Sequence, residues 1–224
     1  MKLDTNFERV MTALRCQEEP DRVPISEFHF DQDFMDAFMG YRVSTLEERI
    51  RFWVEAGLDY IVFPAGLLVD TQPVPGLFQE GQGHYSIYNE QQGKRQWAQE
   101  GEGIIREEKD LDKIPSLDLE RLDLSRFFEI SRLLPPAMTI MVLLGNIYAK
   151  TTQFFGVENF FFTLIEKPAL VEAVIERIGF IQFKVLEAIV EFDCVGGIWH
   201  PDDLAYNQGL FIAPKYLRKW IFPQ

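Results

Sequence analysis

Thiols are scarce in this chain. Cys16 and Cys194 are the two cysteines among 224 residues, so there is neither a disulfide framework nor a Cys-x-x-Cys redox or metal site. Histidine is nearly as rare, with His29, His84 and His200 alone, and no spacing among them signposts a metal centre. A basic excess is also missing. Lys and Arg number 22 against 35 Asp and Glu, a net charge of −13, and that average surface repels polyanions. Nucleic acid is therefore not the expected partner. The longest apolar stretch, near Ile61–Val69, is broken by Pro64 and Gly66 and falls short of the ~18 residues a membrane span needs. The opening MKLDTNFERV carries acids and no apolar signal segment. These absences predict a cytoplasmic protein with no membrane partner.

Phenylalanine, by contrast, is abundant: 20 Phe stand beside 7 Tyr and 4 Trp. That suits either a large packed core or a broad apolar pocket. Periodicity places helices over residues 5–17, with Phe7, Val10, Met11 and Leu14 on one face, and from Ser44, where Ser44 and Glu47 have capping-box spacing. Thr5 and Glu8 share that spacing. Strands are expected at 23–28, 59–63, 138–144 and 195–199; Tyr60–Phe63 among them is an apolar run without alternation, as in a sheet covered on both faces. A short helix is expected near Leu124–Leu133. Thr151–Ile165 reads as helix with a kink at Gly156. Pro168 opens a long helix carrying Val171, Val174, Ile178, Val185 and Ile189 at helical spacing. Pro214–Phe222 begins another.

Residues 70–116 break this rhythm. Tyr85–Tyr88 and Arg95–Ala98, separated by Asn89–Lys94, read as a hairpin, and Ile104–Arg106 as a further strand. This region is expected to be an antiparallel insertion. Elsewhere strands alternate with helices, which predicts an α/β protein with parallel strands side by side in chain order.

Three segments together carry a family resemblance. The first runs from Arg9-Val10 and Ala13-Leu14 to Glu19-Pro20-Asp21-Arg22-Val23-Pro24-Ile25. The second is Gly156-Val157-Glu158-Asn159-Phe160-Phe161 with Lys167-Pro168-Ala169-Leu170-Val171. The third is Asp202-Asp203-Leu204-Ala205, then Gly209-Leu210-Phe211-Ile212-Ala213-Pro214 and Ile221-Phe222-Pro223. In order and spacing they resemble the uroporphyrinogen decarboxylase superfamily, which includes corrinoid-dependent methyltransferases and O-demethylase components. The resemblance implies a (β/α)8 barrel, of which residues 1–224 would supply about the first half, truncated at the C-terminus. A second chain or copy would then complete the barrel, since a half-barrel leaves open strand edges.

The resemblance favours the methyltransferase branch over the decarboxylase (lyase) branch. The decarboxylases carry an Arg-Gln-Ala-Gly-Arg motif after the first strand. Here Glu27-Phe28-His29-Phe30-Asp31-Gln32-Asp33 stands in its place, and its acids would repel a polycarboxylate porphyrinogen. Their essential aspartate after the second strand is matched by Pro64-Ala65-Gly66-Leu67, with Asp70 the nearest acid. Methyl transfer implies a corrinoid protein as partner and zinc as cofactor, with zinc ligands on strands beyond this sequence. A non-catalytic accessory half is the remaining alternative.

Active residues of such barrels sit just after the strands. That rule nominates His200, Asp202 and Asp203 as catalytic, and His29 and Asp31 as substrate-binding. The competing reading has Asp202 or Asp203 capping the next segment and His29 and Asp31 in a solvated loop. No metal ligand is assigned. His84 reads as a surface residue, and Cys194 as a small buried apolar one. Phe154, Phe155, Phe160, Phe161 and Phe162 suit a core by default, with a flat tetrapyrrole ligand as the other reading.

Overall fold

The computed structural model describes residues 4–65, 78–82, 94–98, 103–115 and 122–224. Three parallel strands form its central sheet: β1 (Ile61–Pro64), β4 (Ile140–Leu143) and β5 (Val195–Trp199), adjacent in that order. Register pairs Phe63 with Val142, and Val142 with Ile198. Residues alternate between the two faces. Phe63 meets Phe127 of α4 (Ser125–Leu133) edge-on, with ring centroids 5.0 Å apart. Val185 and Ile189 of α7 (Pro168–Ile189) join the same core. Covering helices explain why β1 and β4 read as apolar runs.

The expected first strand does not form. Val23–Phe28 runs beside the start of β1, but it has no ladder. Pro24 lacks a donor, and Val23 is 82% exposed. Ile25 bonds to one residue twice: its N–H donates to the Asp59 carboxylate at 3.1 Å, and its C=O accepts from the Asp59 N–H at 3.3 Å. A side chain has taken the place of a strand partner. Of the four parallel strands expected, three are present among the described residues, and both of their pairings are parallel.

Asp59 is fully buried and gathers the N-terminal segments. Its carboxylate accepts from the Asn6 N–H at 3.0 Å, from Arg22 at 2.9 Å and from Arg9. Arg9, itself 3% exposed, also grips Asp21 through both carboxylate oxygens. Those hydrogen bonds hold the Arg9 guanidinium charged and lower the Asp21 carboxyl below its ordinary value. All of this lies at the edge where the strands begin.

Before the sheet come α1 (Phe7–Arg15), α2 (Gln32–Met39) and α3 (Leu46–Glu55). The caps sit one residue from the expected ones. Asn6 rather than Thr5 caps α1, and Thr45 with Glu48 forms the box of α3. Glu48 accepts the N–H groups of Ser44 and Thr45 and the Ser44 hydroxyl, which together hold its carboxyl at about 2, well below its ordinary 4.5.

A second core lies under α5 (Ile147–Phe155), α6 (Val157–Glu166) and α7. Gly156, at φ 75°, divides α5 from α6, where the sequence suggested a kink. Phe154, Phe155 and Phe160 are buried in this core while Phe162 is exposed, so the phenylalanine cluster is packing. Residues 104–106 form no strand. Instead the N–H groups of Gly103, Ile104 and Ile105 donate to the Phe154 and Phe155 carbonyls at 2.7–3.0 Å, finishing the open end of α5. A side chain at 103 would stand 2.1 Å from the Phe155 backbone.

The antiparallel hairpin pairs β2 (Phe78–Gln82) with β3 (Lys94–Ala98). Its second strand falls where expected. Tyr85–Tyr88, the expected first strand, lies outside the described residues, as does His84. A small hairpin of β6 (Ala205–Tyr206) and β7 (Gly209–Leu210) follows β5, then α8 (Pro214–Tyr216) and a π-helical turn, Leu217–Ile221. No helix among the described residues is long and apolar enough to cross a membrane.

Three outcomes test this account. Asp59→Ala takes one of two carboxylates from the buried Arg9 and leaves the Asn6 and Ile25 amides without their acceptor, and should lower unfolding free energy by about 3 kcal/mol in denaturant titrations. Gly103→Ala should cost about 1–3 kcal/mol through the backbone collision. The lowered Glu48 carboxyl stabilises the fold fully above pH 4.5 and progressively less as pH falls towards 2. Glu48→Gln should therefore flatten the acid limb of a melting-temperature profile in that window.

Candidate functional site

In a parallel sheet every strand ends at the same edge, so the segments leaving β4 and β5 start side by side. Here they are laced together. The Leu144 N–H donates to the Trp199 carbonyl at 3.1 Å, and the Asn146 N–H to the Pro201 carbonyl at 2.9 Å. His200 lies between these two anchor points. Its exposed imidazole rests on Gly145, where φ is 149° and a Cβ would stand 2.8 Å from the ring. Glycine is required there by both its conformation and its contact.

Asn146 occupies the N-cap position of α5 in a left-handed conformation, and its side chain makes no capping bond. Asp202 does that work from 54 residues away. Its carboxylate accepts the Tyr148 N–H at 2.7 Å and the Ala149 N–H at 3.1 Å, and also the Asp203 N–H at 3.1 Å. A negative charge at a helix N-terminus is favourable. Asp202 is thus engaged as a cap, the structural reading of that position, while Asp203 is exposed at the edge.

Tyr148, which no local pattern singles out, is buried beneath this loop. Burial pushes its phenol up to about 12, and the charges of Asp202 and Asp203 push the same way. At neutral pH it is a protonated donor and not a base. Its ring stacks on Phe211 at 6.1 Å, and Phe211 stacks on Tyr206 at 5.7 Å. This ladder ties the β6–β7 hairpin to the sheet edge.

The other nominated pair lies on the segment beside β1. His29 Nε2 stands 3.2 Å from Asp31 Oδ1, both half-buried. Phe28, just before His29, has its ring 6.1 Å from Trp199, just before His200. Tyr60 meets Trp199 at the same distance. The rings preceding the two histidines therefore meet across one face of the sheet, although β4 lies between β1 and β5.

Zinc finds no fitting donors here. No three His, Cys, Asp or Glu side chains gather as a metal requires among the described residues. Asp202 is held by backbone amides. Cys194 is buried at the opposite edge of the sheet, before β5, and Cys16 is exposed at the end of α1.

No protein-family model and no curated protein matches the chain. Among solved structures it is similar to a methyltransferase from Methanosarcina mazei, with a TM-score of 0.58 and 16% identity. The match covers 97% of this chain and 64% of that one. The chain thus shares its fold with part of that neighbour and spans just under two thirds of it.

Asp202→Ala should remove the α5 cap at a cost of about 1 kcal/mol. It should also let the Tyr148 phenol titrate closer to its ordinary 10, a downward shift readable by NMR of ring-labelled tyrosine.

Proposed function

We propose that this chain is methyltransferase-like and acts in methyl transfer with a corrinoid protein as its partner. Its three parallel strands are read as consecutive strands of a (β/α)8 barrel, with residues 70–116 an insertion in it. The observation that carries the reading is a fold shared with a methyltransferase over 97% of the chain. The β4–β5 edge supports it, because βα proteins of this kind place their chemistry where strands end. The fold alone does not fix an activity.

When a methyl group passes to a thiol, a carbon–sulfur bond forms, the carbon–cobalt bond breaks with its electron pair left on cobalt, and the thiol proton must leave. His200 presents an exposed imidazole at this edge, and a ring nitrogen of that side chain can accept the proton. Asp203 supplies negative charge for a cationic or amine-bearing substrate. Asp202 keeps the loop in place, and His29 with Asp31 lines the approach. The donor set does not call for zinc, and no step is assigned to one.

The test is spectroscopic. Purified protein, methylcobalamin and a small thiol such as mercaptoethanol are followed by the visible absorbance of the cobalt. The reading expects thiol-dependent loss of the methylcobalamin spectrum, cut at least tenfold by His200→Ala without change in melting temperature. Rates equal to the protein-free control, with or without an added corrinoid protein, would contradict it.

In the sheet, β5 has β4 on one side and no partner strand on the other among the described residues. An open edge invites pairing. Part of the same proposal is that a second chain or copy covers this edge. Light scattering after size exclusion should show self-association of the isolated chain, and a monodisperse monomer would count against it.

A further inference from the structure

We propose that Gln182 is a positioning residue for His200, acting through the Gly145 carbonyl. The buried face of α7 is otherwise apolar around it, with Ile175, Ile178, Val185 and Ile189 each 4% exposed or less. Gln182 interrupts that stripe at 7% exposure. An amide in such a place is costly unless it is bonded. Its Nε2 donates to the Gly145 oxygen at 2.6 Å, across 37 residues of sequence. Gly145 is the residue on which the His200 ring lies, and no side chain separates the two.

The coupling has few loose joints. Residues 144 and 146 donate to the carbonyls of residues 199 and 201, on either side of His200. Gln182 fixes the middle of the first loop from beneath, and the lacing passes that position to the second. Loss of the Gln182 donor would leave the buried Gly145 oxygen unpaired, which costs enough to shift a loop. The ring would move with it. The inference rests on the reading that His200 is the working group of this edge, and its test needs no turnover.

With three histidines in the chain, imidazole signals are resolvable by long-range proton–nitrogen NMR on the full chain. Gln182→Met keeps the length and apolar bulk and removes the donor. The expected result is a shift of the His200 ring resonances, with those of His29 unchanged. Ile178→Val, on the same buried face, serves as the control for general loosening and should leave both in place. His200 signals in Gln182→Met that match the wild type would overturn the proposal, as would equal shifts in the control. Should Gln182→Met fail to fold, Gln182→Leu reads the same contact, since it too lacks a donor for the Gly145 oxygen, and an unmoved His200 would again be decisive. A chain that shows the shift but no methylcobalamin turnover would refute the proposed function while leaving this role standing.

Discussion

One buried carboxylate organises the N-terminal third of this molecule. Asp59 has no exposed surface, yet it receives two arginines and the backbone amides of Asn6 and Ile25. A lone buried charge would be expensive, and the dense set of donors is what makes it tolerable. In consequence α1, the Asp21–Ile25 segment and β1 are fixed to one another before any strand ladder contributes. The segment Val23–Phe28 then does not pair as a strand, because Ile25 already bonds to Asp59. The same residues that carry the resemblance to a known superfamily, Arg9, Asp21 and Arg22, are those that close this cluster. Their part here is architectural, at the edge of the sheet away from the candidate site.

The opposite edge is organised by a different device. Asn146 turns left-handed at the start of α5 and leaves the helix without a cap of its own. Asp202 reaches over from the next loop and supplies one. That single exchange binds two βα loops into one surface and leaves His200 on top of it, against a glycine. Stability and accessibility are divided between neighbouring residues: Asp202 holds the loop, and His200 and Asp203 are free of that duty.

The sequence revealed those parts of the fold where burial is two-sided or a helix is long. β1 and β4 were visible as apolar runs, β5 as the short stretch Val195–Trp199 in the alternation of strands and helices, and α7 as a stripe opened by Pro168. Helix α2 was not anticipated, since Phe34 and Phe38 are about half exposed and blur its pattern. The caps of α1 and α3 were displaced by one because Thr5–Asn6 and Ser44–Thr45 each offer two competent cap residues in a row. At the site, the position of His200 after a strand was legible from order alone. The capping role of Asp202 was one of two readings that local sequence could not separate, since its partners are more than fifty residues distant. Tyr148, Gly145 and Gln182 gained their meaning only through tertiary contact. A glutamine within an apolar helical stripe was the one hint on the page.

The central claim is that the edge where β4 and β5 end is the part of this protein that meets its reactants. Amide hydrogen exchange in the presence and absence of methylcobalamin and a thiol tests it most directly. The account predicts added protection confined to the segments around 28–31, 144–149 and 199–206. Protection centred instead on the Asp59 edge, or none at any ligand concentration that drives turnover, would contradict it.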